Sequence, residues 1–361
     1  FNLSVSNSVS VSSLTEEARP GADITITGNY LNWVKSITFN QNKVVTNFVN
    51  QSFGQLVVTV PEDAQTGPLV IEYAGTDSSS FETADTLKVT LPMTTAMAPS
   101  PVKPGTNVTI TGTDLDLVKK VIFANVSTPV ETFVSQSATQ LVVAVPMTAR
   151  KGKVTLEAAS GVQTTSAADL DMILPAITSL SPASLNLNTN LTITGTNLDL
   201  VSKVIFSGVA QPVTTFVSKT ATQVVVKVPA GARKGKVTLE AASGVQTVSG
   251  SEISVNLPTI TSFSPNPVDP GTNLTINGTR LDMVTSVAFQ NAPAVTSFVS
   301  KSASQIVVRV PTGVLNGRVT LGISNPTDTV QSAATLEVTG AAPPPTIALP
   351  FFLDALSSNW N

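Results

Sequence analysis

Residues 190–195, "NLTITG", alternate between apolar and polar side chains. Leu191 and Ile193 fall on one face, and two threonines fall on the other. A period of two is typical of a β-strand with one buried face. The motif, or a close variant of it, ends in a glycine four times, 83 or 84 residues apart, at Gly28, Gly112, Gly195 and Gly278. The strand therefore belongs to a repeat.

Two further markers have the same period. A Val-Pro pair closes a valine-rich run in each copy, and a phenylalanine follows each glycine at a constant distance. The prolines and phenylalanines are Pro61, Pro146, Pro229, Pro311, Phe39, Phe123, Phe206 and Phe289. Because three markers agree, we conclude that the chain contains four copies of one unit.

Each copy is predicted to consist of strands. In the third copy, "KVIF", "QVVVKVP" and "GKVTLEA" alternate like the first motif, which predicts that Val204, Phe206, Val224, Val226, Val228, Val237 and Leu239 point inward. With the flanking segments, each copy has about seven short strands, the number found in an immunoglobulin-like sandwich. The predicted fold is all-β, with four tandem immunoglobulin-like β-sandwich domains in an extended row.

The domain boundaries are predicted at Leu-Pro pairs, because a proline ends a strand. This gives domains at 1–91, 92–174, 175–257 and 258–340, of which the first is divergent. Residues 341–361 are predicted to be a proline-rich joint and the start of a C-terminal module. Because no spare linker residues separate the copies, we expect the domains to be joined tightly end to end.

Composition excludes several functions. A net charge of −3 provides no basic surface for nucleic acid, and no apolar run is long enough to span a membrane. The absence of histidine and cysteine excludes zinc sites, His-dependent triads and disulfides. Since no pair of carboxylates stands out beside aromatic residues, we predict a protein without enzymatic activity, metal or cofactor. The chain opens at Phe1 without Met or a signal sequence, so we expect it to have been trimmed.

The third copy resembles the IPT/TIG family of immunoglobulin-like domains. The shared residues are the opening "PAITSLSP", the strand and turn "LTITGTNL", the strand "VSKVIF" and the hairpin "VPAGARKGKVTLEA". The second and fourth copies match nearly as well, whereas the first lacks the Ser-Pro at its entry. The resemblance covers about residues 5–340.

The array with its proline-rich joint also resembles the surface glycan-binding lipoproteins of Bacteroidota, from Sus-type glycan uptake systems. This resemblance implies a non-catalytic, cell-surface polysaccharide-binding protein, held at the outer membrane by a lipid anchor outside the given residues. The repeats would be a semi-rigid spacer that presents a C-terminal glycan-binding module near an outer-membrane importer, a TonB-dependent transporter with its glycan-binding lid lipoprotein. The alternative is an adhesin or filament subunit that binds a protein partner through the array.

Candidate glycan-binding residues are aromatic, because sugars stack on flat rings. Tyr30, Trp33 and Tyr73 lie in the first copy, together with Phe53, and Trp360 belongs to the C-terminal module. The other copies have Leu or Met at the Trp33 position, which predicts packing there, and polar residues at the Tyr30 position, which predicts exposure. For Trp360, core packing of the module is the alternative to sugar binding.

Two polar motifs have competing interpretations. Asp114 and Asp116 form an Asp-x-Asp after the "TITG" strand of the second copy, which fits either a calcium site or the capping of a turn. The stretch "ARKGKVTLEAASGVQT" occurs identically at 149–164 and 232–247. Its cations fit either a site for an anionic ligand or a solvated hairpin copied by recent duplication, with Gly152 and Gly235 expected at positive φ.

Overall fold

The computed structural model describes residues 8–74, 79–323 and 329–340. All four copies are built from short β-strands and tight turns, which confirms the all-β, tandem immunoglobulin-like fold. By its internal contacts the chain forms two compact units: Phe1–Pro175 with Leu200–Ser202 and Glu240–Thr247, and Ala176–Asp199 with Lys203–Leu239 and Val248–Asn361. Among the described residues, no helix has the length and apolar character needed to cross a membrane.

The first copy contains two sheets, with strand orders β1-β3-β7-β6 and β2-β9-β8-β4-β5. Its strands are β1 Ser10–Leu14, β2 Glu17–Ala18, β3 Asp23–Asn29, β4 Val34–Phe39, β5 Lys43–Val45, β6 Asn50–Gln51, β7 Gln55–Thr59, β8 Gly67–Tyr73 and β9 Ser79–Val89. The second copy has orders β10-β11-β14-β13 and β12-β15-β16. Its strands are β10 Met93–Ala98, β11 Asn107–Thr113, β12 Val118–Ile122, β13 Ser135–Gln136, β14 Gln140–Ala144, β15 Thr155–Ala158 and β16 Gln163–Thr165.

The third copy has orders β17-β19-β22-β21 and β18-β24-β23-β20. Its strands are β17 Ala176–Ser181, β18 Ser184–Leu185, β19 Asn190–Thr196, β20 Val201–Phe206, β21 Ser218–Lys219, β22 Gln223–Lys227, β23 Gly235–Ala241 and β24 Gln246–Val255. The fourth has orders β25-β26-β29-β28 and β27-β30-β31. Its strands are β25 Thr259–Ser264, β26 Asn273–Thr279, β27 Val284–Ala288, β28 Ser300–Lys301, β29 Gln305–Arg309, β30 Gly317–Ile323 and β31 Thr329–Leu336.

In the part of the chain that the structure describes, the remaining regular elements are 3-10 turns of three residues each. They are Leu31–Trp33, Asn40–Asn42, Leu115–Leu117, Leu198–Leu200 and Leu281–Met283. Four of the five follow the "TITG" strand of a copy, so the turn after this strand is part of the repeat.

The alternating residues fill the cores as predicted. In the third copy, Leu191, Ile193 and the seven other residues predicted to point inward are at most 2% exposed. The phenylalanine marker is also buried in every copy. The predicted domain boundaries at Pro92, Pro175 and Pro258 remain a prediction, since the two compact units follow a coarser division.

The glycine that ends "TITG" is required by a neighbouring strand. In the third copy, a Cβ on Gly195 would lie 1.9 Å from the carbonyl oxygen of Ala176 on β17. Strand β17 bulges between Ile177 and Ser179, where the register with β19 shifts. The same clash, at 1.8–1.9 Å, recurs in the other copies. Glycine therefore marks the place where two backbones approach too closely for any side chain.

A buried hydroxyl recurs in all four copies. In the third copy, Ser249 accepts a hydrogen bond from the backbone N–H of Val237 at 3.0 Å and donates to the carbonyl of Ser251 at 2.7 Å. The corresponding residues, with the same pair of bonds, are Thr83, Ser166 and Ser332. Each hydroxyl is at a position where the strand pairing would otherwise leave buried backbone groups unpaired.

Within the first compact unit, the first two copies are held together by polar contacts. Arg19 lies 3.0 Å from the carboxylate of Asp114 and donates to Asp116 at 2.7 Å. The side chain of Gln65 donates to the carbonyl of Ser160 at 2.8 Å. These contacts join a loop before β3 and a loop before β8 to the facing turns of the second copy.

The duplicated stretch contributes to a similar contact. The Nε of Arg150 donates to the carbonyl of Ser243 at 2.6 Å, and both residues belong to the first unit. Ser243 occupies the position in its copy that Ser160 occupies in the preceding one. Lys151 pairs with Asp171 at 2.7 Å, so its charge is balanced within its own copy. Both interpretations of the cations are therefore incomplete, because Arg150 connects two copies.

The expectation for Gly152 was wrong, because its φ is not positive. Glycine is needed there for space: a Cβ would lie 2.6 Å from the Cβ of Ala124. Gly235 has φ 158°, and a Cβ there would lie 2.7 Å from the Cβ of Ser207.

A charged pair on the second copy predicts a pH effect. Gln163 donates to Glu157 at 2.7 Å and Lys120 lies 3.1 Å away, and both interactions lower the pKa of Glu157 below its ordinary 4.5. A lowered carboxyl pKa stabilises the fold above the ordinary value, and this stability is lost as the pH falls through the lowered pKa. We expect the melting temperature of Glu157→Gln to fall less steeply below pH 4.5 than that of the wild type.

The control for this pH prediction is Glu131→Gln. The side chain of Glu131 is 63% exposed and lies 3.9 Å from Lys120. The melting temperature of Glu131→Gln should therefore fall as steeply below pH 4.5 as that of the wild type. Equal slopes for the Glu157 variant and the wild type between pH 4.5 and pH 3 would contradict the prediction.

Candidate functional site

The turn after β3 holds Tyr30 in a left-handed conformation, with φ 59°. The residues at the equivalent positions of the other copies, Asp114, Asn197 and Arg280, also have positive φ. Asn and Asp tolerate this region best, and a tyrosine there costs on the order of 1 kcal/mol. Only the first copy has a large aromatic residue at this strained position.

Backbone hydrogen bonds fix the turn against its neighbour. The N–H of Trp33 donates to the carbonyl of Tyr30 at 3.0 Å, and the N–H of Leu31 donates to the carbonyl of Phe53 at 3.0 Å. The side chain of Gln51 donates to the carbonyls of Leu31 and Val34. The turns 28–33 and 50–55 are thus preorganised side by side.

Three aromatic rings meet on these two turns. The ring centroids of Tyr30 and Trp33 lie 5.0 Å apart at an interplanar angle of 36°, and those of Tyr30 and Phe53 lie 4.8 Å apart, edge to face. Tyr30 is half-buried, whereas Trp33 is 38% and Phe53 is 53% exposed. We call Tyr30, Trp33 and Phe53 the aromatic face. In it, the rings of Trp33 and Phe53 are exposed to solvent and each packs against the ring of Tyr30.

The aromatic face is specific to the first copy. Phe53 replaces an alanine that occurs in the other three copies, at Ala138, Ala221 and Ala303. The backbone bond is the same in each, since the Leu N–H of the 3-10 turn donates to that alanine's carbonyl at 2.9 Å. The same contact between the two turns therefore forms in the copies that lack the three rings.

The aromatic face lies at the end of the first copy away from the second copy. Arg19, which contacts Asp114 and Asp116, precedes β3, and Tyr30 directly follows it. Seven residues of strand span about 23 Å. The position that receives Arg19 in the second copy thus corresponds to the aromatic face in the first.

The structure brings some of the predicted aromatic residues together. Tyr30 and Trp33 are neighbours, but their surroundings differ from the expectation: Trp33 is exposed where packing was predicted, and Tyr30 is half-buried where exposure was predicted. The reason is that Tyr30 packs against the core and beneath the other two rings. Tyr73 lies on β8 and its ring packs edge to face against Phe81, at 6.1 Å. Trp360 lies outside the described residues.

Sequence reasoning gave Phe53 no role in the site. Its signal was available, because phenylalanine at 53 replaces an alanine in three other copies. What the sequence could not show is that two turns separated by 20 residues lie against each other.

Neither interpretation of the Asp-x-Asp holds. The Asp114 side chain makes no capping hydrogen bond to its 3-10 turn, and both carboxylates instead face the guanidinium of Arg19. Among the described residues, no group of three or more Asp or Glu residues could hold a metal ion. The carboxylates of Asp114 and Asp116 join two copies.

Protein-family models match three of the four copies. The matching description is "IPT/TIG domain", and the matched residues are 92–170, 175–253 and 258–338. The chain belongs to the IPT/TIG family. The aromatic face lies in the copy that precedes the three matched IPT/TIG domains.

The IPT/TIG array is also similar to solved structures. One, solved with a xylogluco-oligosaccharide, is 16% identical with a TM-score of 0.27, over 83% of this chain and 89% of that one. Another, the SGBP-B of a Bacteroides ovatus mixed-linkage glucan utilization locus with a bound heptasaccharide, is 15% identical with a TM-score of 0.21, over 85% and 93%. The plexin A4 extracellular region is 15% identical with a TM-score of 0.26, over 88% and 36%. A search of curated proteins finds no match.

Proposed function

We propose that this IPT/TIG protein binds polysaccharide without catalysis, at the cell surface. The observation that carries the proposal is the aromatic face of Tyr30, Trp33 and Phe53, on a chain with only 5% aromatic residues. Exposed rings on a rigid turn are suited to the apolar faces of sugar rings. Packing does not require a ring at either position, because the other copies have leucine or methionine in place of Trp33 and alanine in place of Phe53.

We propose further that the IPT/TIG domains are a spacer. The absence of linker residues at the Leu-Pro pairs supports this role, as do the contacts of Arg19 and Gln65 between the first two copies. A stiff connection holds two sugar sites at a defined separation, so that a polymer bound at one remains at a high local concentration for the other. The proposal has three further parts, which the sequence resemblance supports. They are a C-terminal glycan-binding module, a lipid anchor in the outer membrane and a nearby importer.

The test replaces the aromatic face by the residues of the other copies. The triple variant Tyr30→Asn, Trp33→Leu and Phe53→Ala reproduces the third copy at all three positions, so we expect it to fold with a stability within about 1 kcal/mol of the wild type. Affinity gels containing cellulose ethers, mixed-linkage β-glucan, xylan and galactomannan measure binding. We expect at least about a tenfold weaker interaction with the polysaccharide that retards the wild type.

The matched control is Tyr73→Ile, because isoleucine occupies this position in the fourth copy, at Ile323. The backbone of Tyr73 pairs with Val34 next to Trp33, but its ring packs edge to face against Phe81, so the control should retain binding within about twofold. Failure of the wild type to bind any polysaccharide of the panel, or equal retardation of the wild type and the triple variant, would overturn the proposal.

A further inference from the structure

The aromatic face differs from its counterparts in charge as well as in aromatic content. The turns 28–33 and 50–55 contain no Asp, Glu, Lys or Arg. The corresponding turns of the other three copies each carry at least two charged residues, namely Asp114 and Asp116, Asp199 and Lys219, and Arg280, Asp282 and Lys301. The first copy therefore lacks charged residues at the same place where it carries aromatic rings.

One position shows this difference in charge most clearly. The 3-10 turn has an aspartate in its centre in the second, third and fourth copies, and the exposed Asn32 in the first. In the second copy this aspartate, Asp116, accepts a bond from Arg19. Asn32 has the size of an aspartate but no charge. The first copy therefore lacks the carboxylate with which Asp116 binds the arginine of a neighbouring copy.

An uncharged aromatic surface selects its ligand electrostatically. The face of an aromatic ring carries partial negative charge, and it attracts cations and repels anions. Arg and Lys are the side chains that most strongly favour binding of carboxylate or sulfate groups, through charge-assisted hydrogen bonds. The nearest charge along the chain, Lys35, lies on β4, two residues beyond Trp33. The aromatic face therefore offers stacking and neutral amides, with no cation in its turns.

We infer that the aromatic face of the first copy is a binding site for uncharged polysaccharide, and that it discriminates against anionic polysaccharide of the same backbone. The inference rests on the proposed function and names the chemical class of its ligand. It places this site on an immunoglobulin-like domain, at the end of the first copy opposite Arg19.

The experiment compares each neutral polysaccharide that retards the full chain with its carboxymethyl derivative, for example hydroxyethyl cellulose with carboxymethyl cellulose. We expect the derivative to be bound at least about fivefold more weakly. Retardation by the neutral polymer should stay within about 1.5-fold between about 0.05 M and about 0.5 M NaCl, because stacking is not screened. The variant Asn32→Lys should bind the carboxymethyl derivative at least about threefold more tightly than the wild type does.

The outcomes separate the two levels of the proposal. Equal or stronger binding of the carboxymethyl derivative, or loss of neutral binding in high salt, would overturn this inference and leave polysaccharide binding intact. Binding of no polymer at all, neutral or anionic, would overturn both. Binding of the neutral polymer by the triple variant as tightly as by the wild type would remove the site from the aromatic face.

Discussion

Replacing Gly195 with alanine is expected to destabilise the third copy by about 3 kcal/mol or more. The new Cβ would lie 1.9 Å from the carbonyl oxygen of Ala176 and 3.0 Å from its carbon. Both are backbone atoms in β17, so no side-chain rotation can relieve the clash, and β17 must separate from β19. Since β17 is an edge strand whose ladder partner is β19, we expect its pairing to be lost. Urea unfolding followed by circular dichroism measures the change.

A second glycine in the same copy provides the control. A Cβ on Gly250, in β24, would have no atom within 4 Å, and its φ is not positive. Gly250→Ala should therefore change the free energy of unfolding by less than about 1 kcal/mol, with stabilisation as the expected sign. If Gly195→Ala unfolded at the same urea concentration as Gly250→Ala, the close approach of β17 and β19 would be disproved.

Replacing Ser249 with alanine is expected to cost about 2 kcal/mol. Ser249 is 1% exposed and satisfies two backbone groups, the N–H of Val237 and the carbonyl of Ser251. Removal of one oxygen leaves both groups buried without that partner, and the alanine methyl group offers no replacement. The loss should appear as a lower melting temperature of the third copy.

The first copy suggests a variant that rescues this loss. Thr83 occupies the equivalent position and makes the same two hydrogen bonds, with Leu69 and Asp85. Ser249→Thr should therefore retain most of the stability. Valine has nearly the same shape as threonine but no hydroxyl, so Ser249→Val should lose about as much stability as the alanine variant. Equal stability of the threonine and valine variants would show that the hydroxyl contributes nothing.

The strands and cores were predictable because burial imposes a period of two that is visible in "NLTITG". The reason for Gly195 was not, because the carbonyl that excludes a side chain belongs to another strand. The same limit applies to Ser249, since serine and threonine are abundant and only folding shows which hydroxyl is buried. Backbone acceptors have no sequence signal at all, and the contact from Arg150 to Ser243 could not be inferred for that reason.

The candidate site was predictable in part. Comparing the copies singled out Tyr30 and Trp33, because each is a large ring at a position where the other copies have something else. The same comparison would have singled out Phe53. The expected exposures of Tyr30 and Trp33 were wrong, because a comparison of positions cannot show that one ring lies beneath two others.

The contacts of the duplicated stretch have an evolutionary consequence. Each copy of the sixteen residues contains both a serine carbonyl that accepts and an arginine at the position that donates to the next copy, as Ser160 and Arg150 illustrate. If one whole unit were duplicated in tandem in the gene, the new neighbours would already carry the arginine and the serine that contact each other, and no compensating mutation would be needed. Natural length variants of this protein are expected to differ by multiples of about 83 residues, the period of its repeats.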